Sequence, residues 1–74
     1  MKLPALKPRD LERIIVKAGF MYDYTQGGHK YFEHPLSKLT TCIPQHRRDV
    51  RKGLAHKILF TDCQLTDAQV RKLL

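Results

Sequence analysis

The sequence predicts an α+β fold: one small antiparallel sheet of three strands with helices on one face. Three observations predict it. Apolar residues recur at helical spacing between residues 8 and 18. The pattern then switches to short strand-like runs separated by turn residues, up to Pro44. After Pro44 it returns to helical spacing. The element order is helix, three strands, helix, short helix.

Residues 1–6, MKLPAL, read as a loose arm. In the first helix Leu11, Ile14, Ile15 and Ala18 fall at i, i+3, i+4 and i+7, one helical face. Pro8 suits the first helical position, where its missing N–H costs nothing. The N-cap is then Lys7, which carries no side-chain acceptor. Asp10 and Glu12 lie near the positive end of the helix dipole and Lys17 near the negative end. Gly19 takes the position after the C-cap, with Phe20 folding back on the helix. Residues 20–25 are an aromatic-rich strand, and Gln26, Gly27 and Gly28 turn the chain. Residues 29–34, HKYFEH, form the second strand and residues 35–37 a second turn. Residues 38–43 form the third strand, ended by Pro44. If Phe32 points to the core, strand alternation puts His29, Tyr31 and Glu33 on the opposite, uncovered face. The second helix follows the basic run and is patterned by Val50, Leu54, Ile58 and Leu59, with Gly53 weakening its start. The last helix opens at Thr66, its N-cap, with Leu65 before it as a hydrophobic staple and Val70, Leu73 and Leu74 as its apolar edge.

With 74 residues, the whole chain, 1–74, reads as a single domain. A chain of this size buries only about 60% of the surface its unfolded form exposes, so the core is thin. Size excludes a second domain with a cofactor cleft. No apolar run approaches the roughly 18 residues of a membrane span. The formal charge is +7, from 14 Lys and Arg against 7 Asp and Glu, and the pI is about 9.8. A small domain this basic meets a polyanion, nucleic acid first and a membrane surface second. The start shows no secretory h-region, and Cys42 and Cys63 lack the spacing of a disulfide framework, so a cytoplasmic protein with reduced thiols is expected.

His29 is the leading chemical candidate. It follows two glycines, sits at a strand edge and lies on the face assigned to solvent. Imidazole is the side chain best suited to accept and return protons near neutral pH. The position also suits an ordinary turn histidine. Arg47, Arg48, Arg51 and Lys52, against Asp49, give a basic run leading into a helix, a place suited to phosphate, with Lys30 beside His29. The run also suits a solvated face. Phe20, Tyr22, Tyr24, Tyr31 and Phe32 offer stacking surfaces, although some of them must line the core. Cys42 and His46 are separated by Pro44, and His56 and Cys63 add no zinc-ligand spacing, so no metal site is expected. Cys63 reads as a small buried hydrophobe.

Taken together, these residues resemble the HicA toxins of bacterial toxin–antitoxin systems. The resemblance runs from the helix ending in Gly19-Phe20, through Gly28-His29-x-x-Phe32 and Pro44-x-His46, to Lys52-Gly53, Ile58-Leu59 and the helix opened by Leu65-Thr66. It implies a fold similar to the double-stranded RNA-binding domain. It also implies metal-independent cleavage of mRNA without a cofactor, and neutralisation by a HicB-type antitoxin. On the matching positions, His29 corresponds to the catalytic histidine and Gly28 to the small residue before it. Pro44 and His46 correspond to an element after the third strand that is structural first. The family often has Ser where this chain has Gly28, and Gly where it has Gln64. His29 would take a proton from an RNA 2′-OH, with Lys30, Arg47, Arg48, Arg51 and Lys52 on phosphate. His46, Lys30 and solvent remain open as the proton donor to the leaving oxygen. The competing class is a non-catalytic double-stranded RNA-binding-like module. A membrane-surface protein ranks last, because no long amphipathic helix with a basic face is present.

Overall fold

A computed structural model describes all 74 residues. The chain folds as helix α1 (Pro8–Lys17), strands β1 (Met21–Gln26), β2 (His29–Glu33) and β3 (Thr40–Pro44), and helix α2 (Lys52–His56). Helix α2 runs on into a π-helical segment (Lys57–Asp62), and helix α3 (Asp67–Leu73) ends the fold. The sheet is antiparallel in the order β1-β2-β3. The α+β arrangement of helix, three-stranded sheet and further helices is the one the sequence predicts.

Helix α1 begins as its sequence requires. Lys7 is the N-cap, and because its side chain offers no acceptor, Asp10 works from inside the helix: its carboxylate accepts the Lys7 backbone N–H at 2.9 Å. The helix closes in a Schellman motif. The Phe20 N–H donates to Ile15 O at 2.9 Å and the Gly19 N–H to Val16 O at 3.0 Å. Gly19 has φ +104, and a Cβ there would lie 2.6 Å from Nε2 of His34, so both backbone and space demand glycine. Phe20 serves this cap and stacks edge-on against His34, so β1 starts one residue later than expected.

A two-residue loop joins β1 to β2. Gly27 and Gly28 have φ +59 and +77, the pair of left-handed residues that matches the twist of a tight hairpin. A bulge between Tyr22 and Tyr24 interrupts the ladder. The turn into β3 is longer than expected and holds Lys38 at φ +65. The His34 ring ties it down, its Nδ1 accepting the N–H groups of Leu36 and Ser37. β3 therefore starts at Thr40, not Lys38, and Pro44 is its last residue, paired with His29, where an edge strand tolerates proline.

Register and alternation sort the sheet into two faces. Phe32, Thr41 and Ile43 are buried on the helix side. His29, Tyr31 and Glu33 lie on the other side with their partners, among them Tyr24, Gln26 and Cys42. Phe32 and Ile43 form one core with Leu11, Ile14 and Ile15 of α1, Ala55, Ile58 and Leu59 of the second helical stretch, and Val70 of α3. A Leu, Ile or Val among them, fully buried, contributes about 1.5–3 kcal/mol.

Two expectations are corrected. The first six residues are not a loose arm: Leu3 and Leu6 are buried in the core, and the Val50 N–H donates to Leu6 O at 2.7 Å in an isolated antiparallel bridge. Val50 is thus taken by the arm and does not begin the second helix. Leu54 is 38% exposed, and Ala55, Ile58 and Leu59 form the buried face instead. The π-helical segment re-phases that face, with the Cys63 N–H reaching back five residues to Ile58 O. Asp62 anchors the segment to the sheet by accepting the Thr41 hydroxyl at 2.9 Å, and Lys57 pairs with it at 3.1 Å. Helix α3 has a full capping box: the Gln69 N–H donates to Thr66 Oγ1, and Gln69 Oε1 accepts the Thr66 N–H. Leu65 and Val70 are both buried at the staple positions. No helix is long and apolar enough to cross a membrane.

Candidate functional site

His29 is the first residue of β2, set between Gln26 and Pro44 across the sheet and half-buried on the uncovered face. Its Nδ1 lies 3.1 Å from the carbonyl oxygen of Gly27. A carbonyl only accepts, so Nδ1 is the donor, and in the neutral ring that leaves the lone pair on Nε2. The hairpin turn thus holds the imidazole in the tautomer that suits a proton acceptor, because the Gly27-Gly28 loop aims a carbonyl back at the ring. A Cβ on Gly28 would meet nothing within 4 Å, so the approach beside His29 is open.

Lys30, the next residue, points to the helix side and pairs with Glu12 of α1 at 3.2 Å. It lines a pocket of about 460 Å³ at the start of α1, together with Lys7, Arg9, Glu12, His46 and Arg47. Pro8 and Gln45 complete the wall, in which no aromatic or aliphatic side chain other than the proline ring takes part. Four permanent cations therefore face a single carboxylate. The pocket adjoins the His29 end of the sheet through Gln45, whose N–H donates to Gly28 O at 2.8 Å, but His29 is not part of its wall.

The basic run is divided by this geometry. Arg47 and His46 join Lys30 in the pocket, whereas Arg48, Arg51 and Lys52, exposed like Arg47, lie outside its wall. Arg51 is the N-cap of α2, which is only five residues long. Sequence reasoning does not mark Lys7, Arg9 or Glu12 as site residues. In sequence they are the ordinary flank of a helix start, and their meeting with residues 30 and 47 is a long-range event. The one available signal is helical periodicity, which sets the flank of α1 that turns toward the sheet edge.

The aromatic candidates also divide. Phe20 and Phe32 are core residues. Tyr22 is exposed and packs edge-on against Phe32. Tyr24 and Tyr31 stack face to face on the uncovered side, ring centroids 4.5 Å apart, on the same face as His29. No group of three or more His, Cys, Asp or Glu side chains converges. Cys42 and Cys63 are both free thiols. Burial pushes the Cys63 thiol up to about 12, helped by the neighbouring Asp62 carboxylate, which leaves it protonated and unreactive near neutrality.

The fold and this surface describe a small basic α+β domain with a histidine on the open face of its sheet and a cationic pocket at the same end of the sheet on the other face. A family model described as HicA toxin of bacterial toxin–antitoxin matches residues 8–70. The chain belongs to that family of toxins. None of the curated proteins matches it.

Proposed function

We propose that the chain is an RNA-cleaving toxin, a metal-independent endoribonuclease acting on mRNA, with His29 as its base and a HicB-type antitoxin as its neutralising partner. The observation that carries this reading is the His29 ring: uncovered, beside a glycine-lined approach, and hydrogen-bonded so that Nε2 is the proton acceptor. The substrate brings its own nucleophile. Nε2 takes the proton of a ribose 2′-OH, and the 2′ oxygen forms a bond to the adjacent phosphorus. The bond from phosphorus to the 5′ oxygen then breaks, leaving a 2′,3′-cyclic phosphate and a 5′-OH. Lys30 and His46 both line the pocket on the helix side, so solvent is the donor on the His29 face that supplies the proton to the leaving oxygen. One positioned histidine contributes roughly 10²–10⁴-fold. Arg and Lys side chains hold the phosphates and offset the charge that develops during attack.

The test is His29→Ala, expressed alone in cells, with RNA cleavage and thermal melts measured alongside. Growth arrest and cleavage should disappear, while stability moves by no more than about 0.5 kcal/mol, as for surface changes away from the core. If RNA is still cut, His29 is not the base. A non-catalytic RNA-binding module would show no cleavage even with His29 intact.

A further inference from the structure

We infer that the pocket at the start of α1 seats a backbone phosphate of a bound RNA strand, on the face of the sheet opposite His29. The inference rests on the RNA reading above and adds Lys7 and Arg9 of the α1 region to its surface. Arg9 and Arg47 both line the pocket, and neither guanidinium holds a hydrogen bond or ion pair within the protein. Guanidinium is the group that grips phosphate with two parallel donors, and two exposed ones at one cavity, unpaired within the protein, leave their donors available to a ligand. The other cations are already positioned. The Lys7 ammonium donates to Arg47 O at 3.1 Å, which ties the two cationic segments together, and Glu12 holds Lys30 at the wall. Glu12 opposes an anion, and Asp49 lies 3.9 Å from the Lys7 ammonium, yet four cations outnumber these two carboxylates.

The chemistry of the wall selects the ligand. Apart from the Pro8 ring it is lined by polar and charged residues, without the aromatic or aliphatic anchors of protein interfaces and of drug-like pockets. It has instead the polar, positive character of nucleic-acid contacts. About 460 Å³ holds a phosphate with part of its sugar. His29 and Lys30 are consecutive residues pointing to opposite faces of β2. An RNA strand that reaches both must pass round the end of the sheet, where the Gly27-Gly28 turn and Gln45 meet. The turn itself carries no side chain, and Cβ atoms at either glycine would meet nothing within 4 Å, so a strand can lie close against its backbone. The strand therefore bends between the pocket and the histidine, which selects single-stranded RNA over a rigid duplex.

The test is binding of a short 2′-O-methyl oligoribonucleotide, whose blocked 2′ oxygen cannot attack, measured over a salt series with the full chain. Arg9→Gln and Arg47→Gln should each weaken binding roughly three- to tenfold and flatten the salt slope by about 0.7 for each phosphate left unneutralised. Arg71→Gln, on α3 and outside the pocket, controls for net charge and should change little. All three variants should melt like the wild type. If Arg9→Gln and Arg47→Gln bind the oligonucleotide as Arg71→Gln does, the inference is overturned, and the cleavage reading stands. Loss of antitoxin binding with RNA binding intact would also overturn it, making the pocket a protein contact. Pocket-dependent binding by a wild-type protein that cleaves no RNA would support the pocket and sink the cleavage reading.

Discussion

Gln64 and Lys38 are the two non-glycine residues held in the left-handed region, Gln64 at φ +53. Such a conformation costs an L-residue about 1–2 kcal/mol, and glycine would give part of that gain back through its greater chain entropy when unfolded. Gln64→Gly should therefore raise stability by about 0.5–1 kcal/mol in thermal melts. Gly28→Ser should do the reverse and cost about 1 kcal/mol, because Gly28 sits at φ +77. A stable Gly28→Ser protein with an unchanged melt would show that the hairpin can adopt another turn. Cys63 gives a pH dependence. The unfolded thiol ionises from 9.0, whereas the buried one keeps its proton up to about 12. Between these values the unfolded chain binds fewer protons than the folded one, so stability falls as pH rises through that window. Below it, Cys63 contributes no slope. Comparing denaturation of wild type and Cys63→Ala on either side of pH 9 isolates this slope from the other basic groups, and parallel curves would refute it.

Among the elements, the N-terminal segment departs furthest from its sequence pattern. Leu6 bridges Val50, and both are buried. Leu6→Ala should cost about 2–5 kcal/mol, the range for a core leucine, where a loose arm would lose almost nothing. A denaturation midpoint unchanged from wild type would mean that the segment does not dock in solution. The docking has a consequence for the surface, since Lys7 and Arg9 follow Leu6 closely and are delivered to the cationic pocket by the same packing. The π-helical segment shows the same dependence on partners. Its periodicity reads as an ordinary helix, but Asp62 must reach the Thr41 hydroxyl while Ile58 and Leu59 stay buried, and the wider turn satisfies both. A π-helical turn inside a helix is rare and leaves no local signature.

For the molecule as a whole, charge and shape act together. The helices cover one face of the sheet and leave the His29 face, with its stacked Tyr24 and Tyr31, open. A chain of formal charge +7 attracts an acidic partner over long range, so association with the proposed antitoxin should be fast and should slow steeply as salt rises. Masking of the proposed site further predicts that backbone amides of the β1–β2 hairpin exchange hydrogen more slowly in the complex. A complex that leaves hairpin exchange unchanged would neutralise the toxin in some way other than by covering His29.

Features made within a few residues are legible in the chain alone. The Gly19 cap, the two-glycine hairpin, the Thr66 N-cap and the alternation that puts His29 opposite Phe32 all rest on backbone conformations and hydrogen bonds between near neighbours. Such contacts leave marks in the sequence, namely glycine, proline and period. Packing between distant segments set the rest: the docking of Leu3 and Leu6, the phase of the second helix, and the pairing of Lys30 with Glu12. The same packing brought Lys7, Arg9, Lys30 and Arg47 around one pocket. A long side chain of Lys or Arg is tolerated almost anywhere on a surface, so its type says nothing about which distant segment it will face. That choice follows from how the core packs, and the core forms from residues elsewhere in the chain.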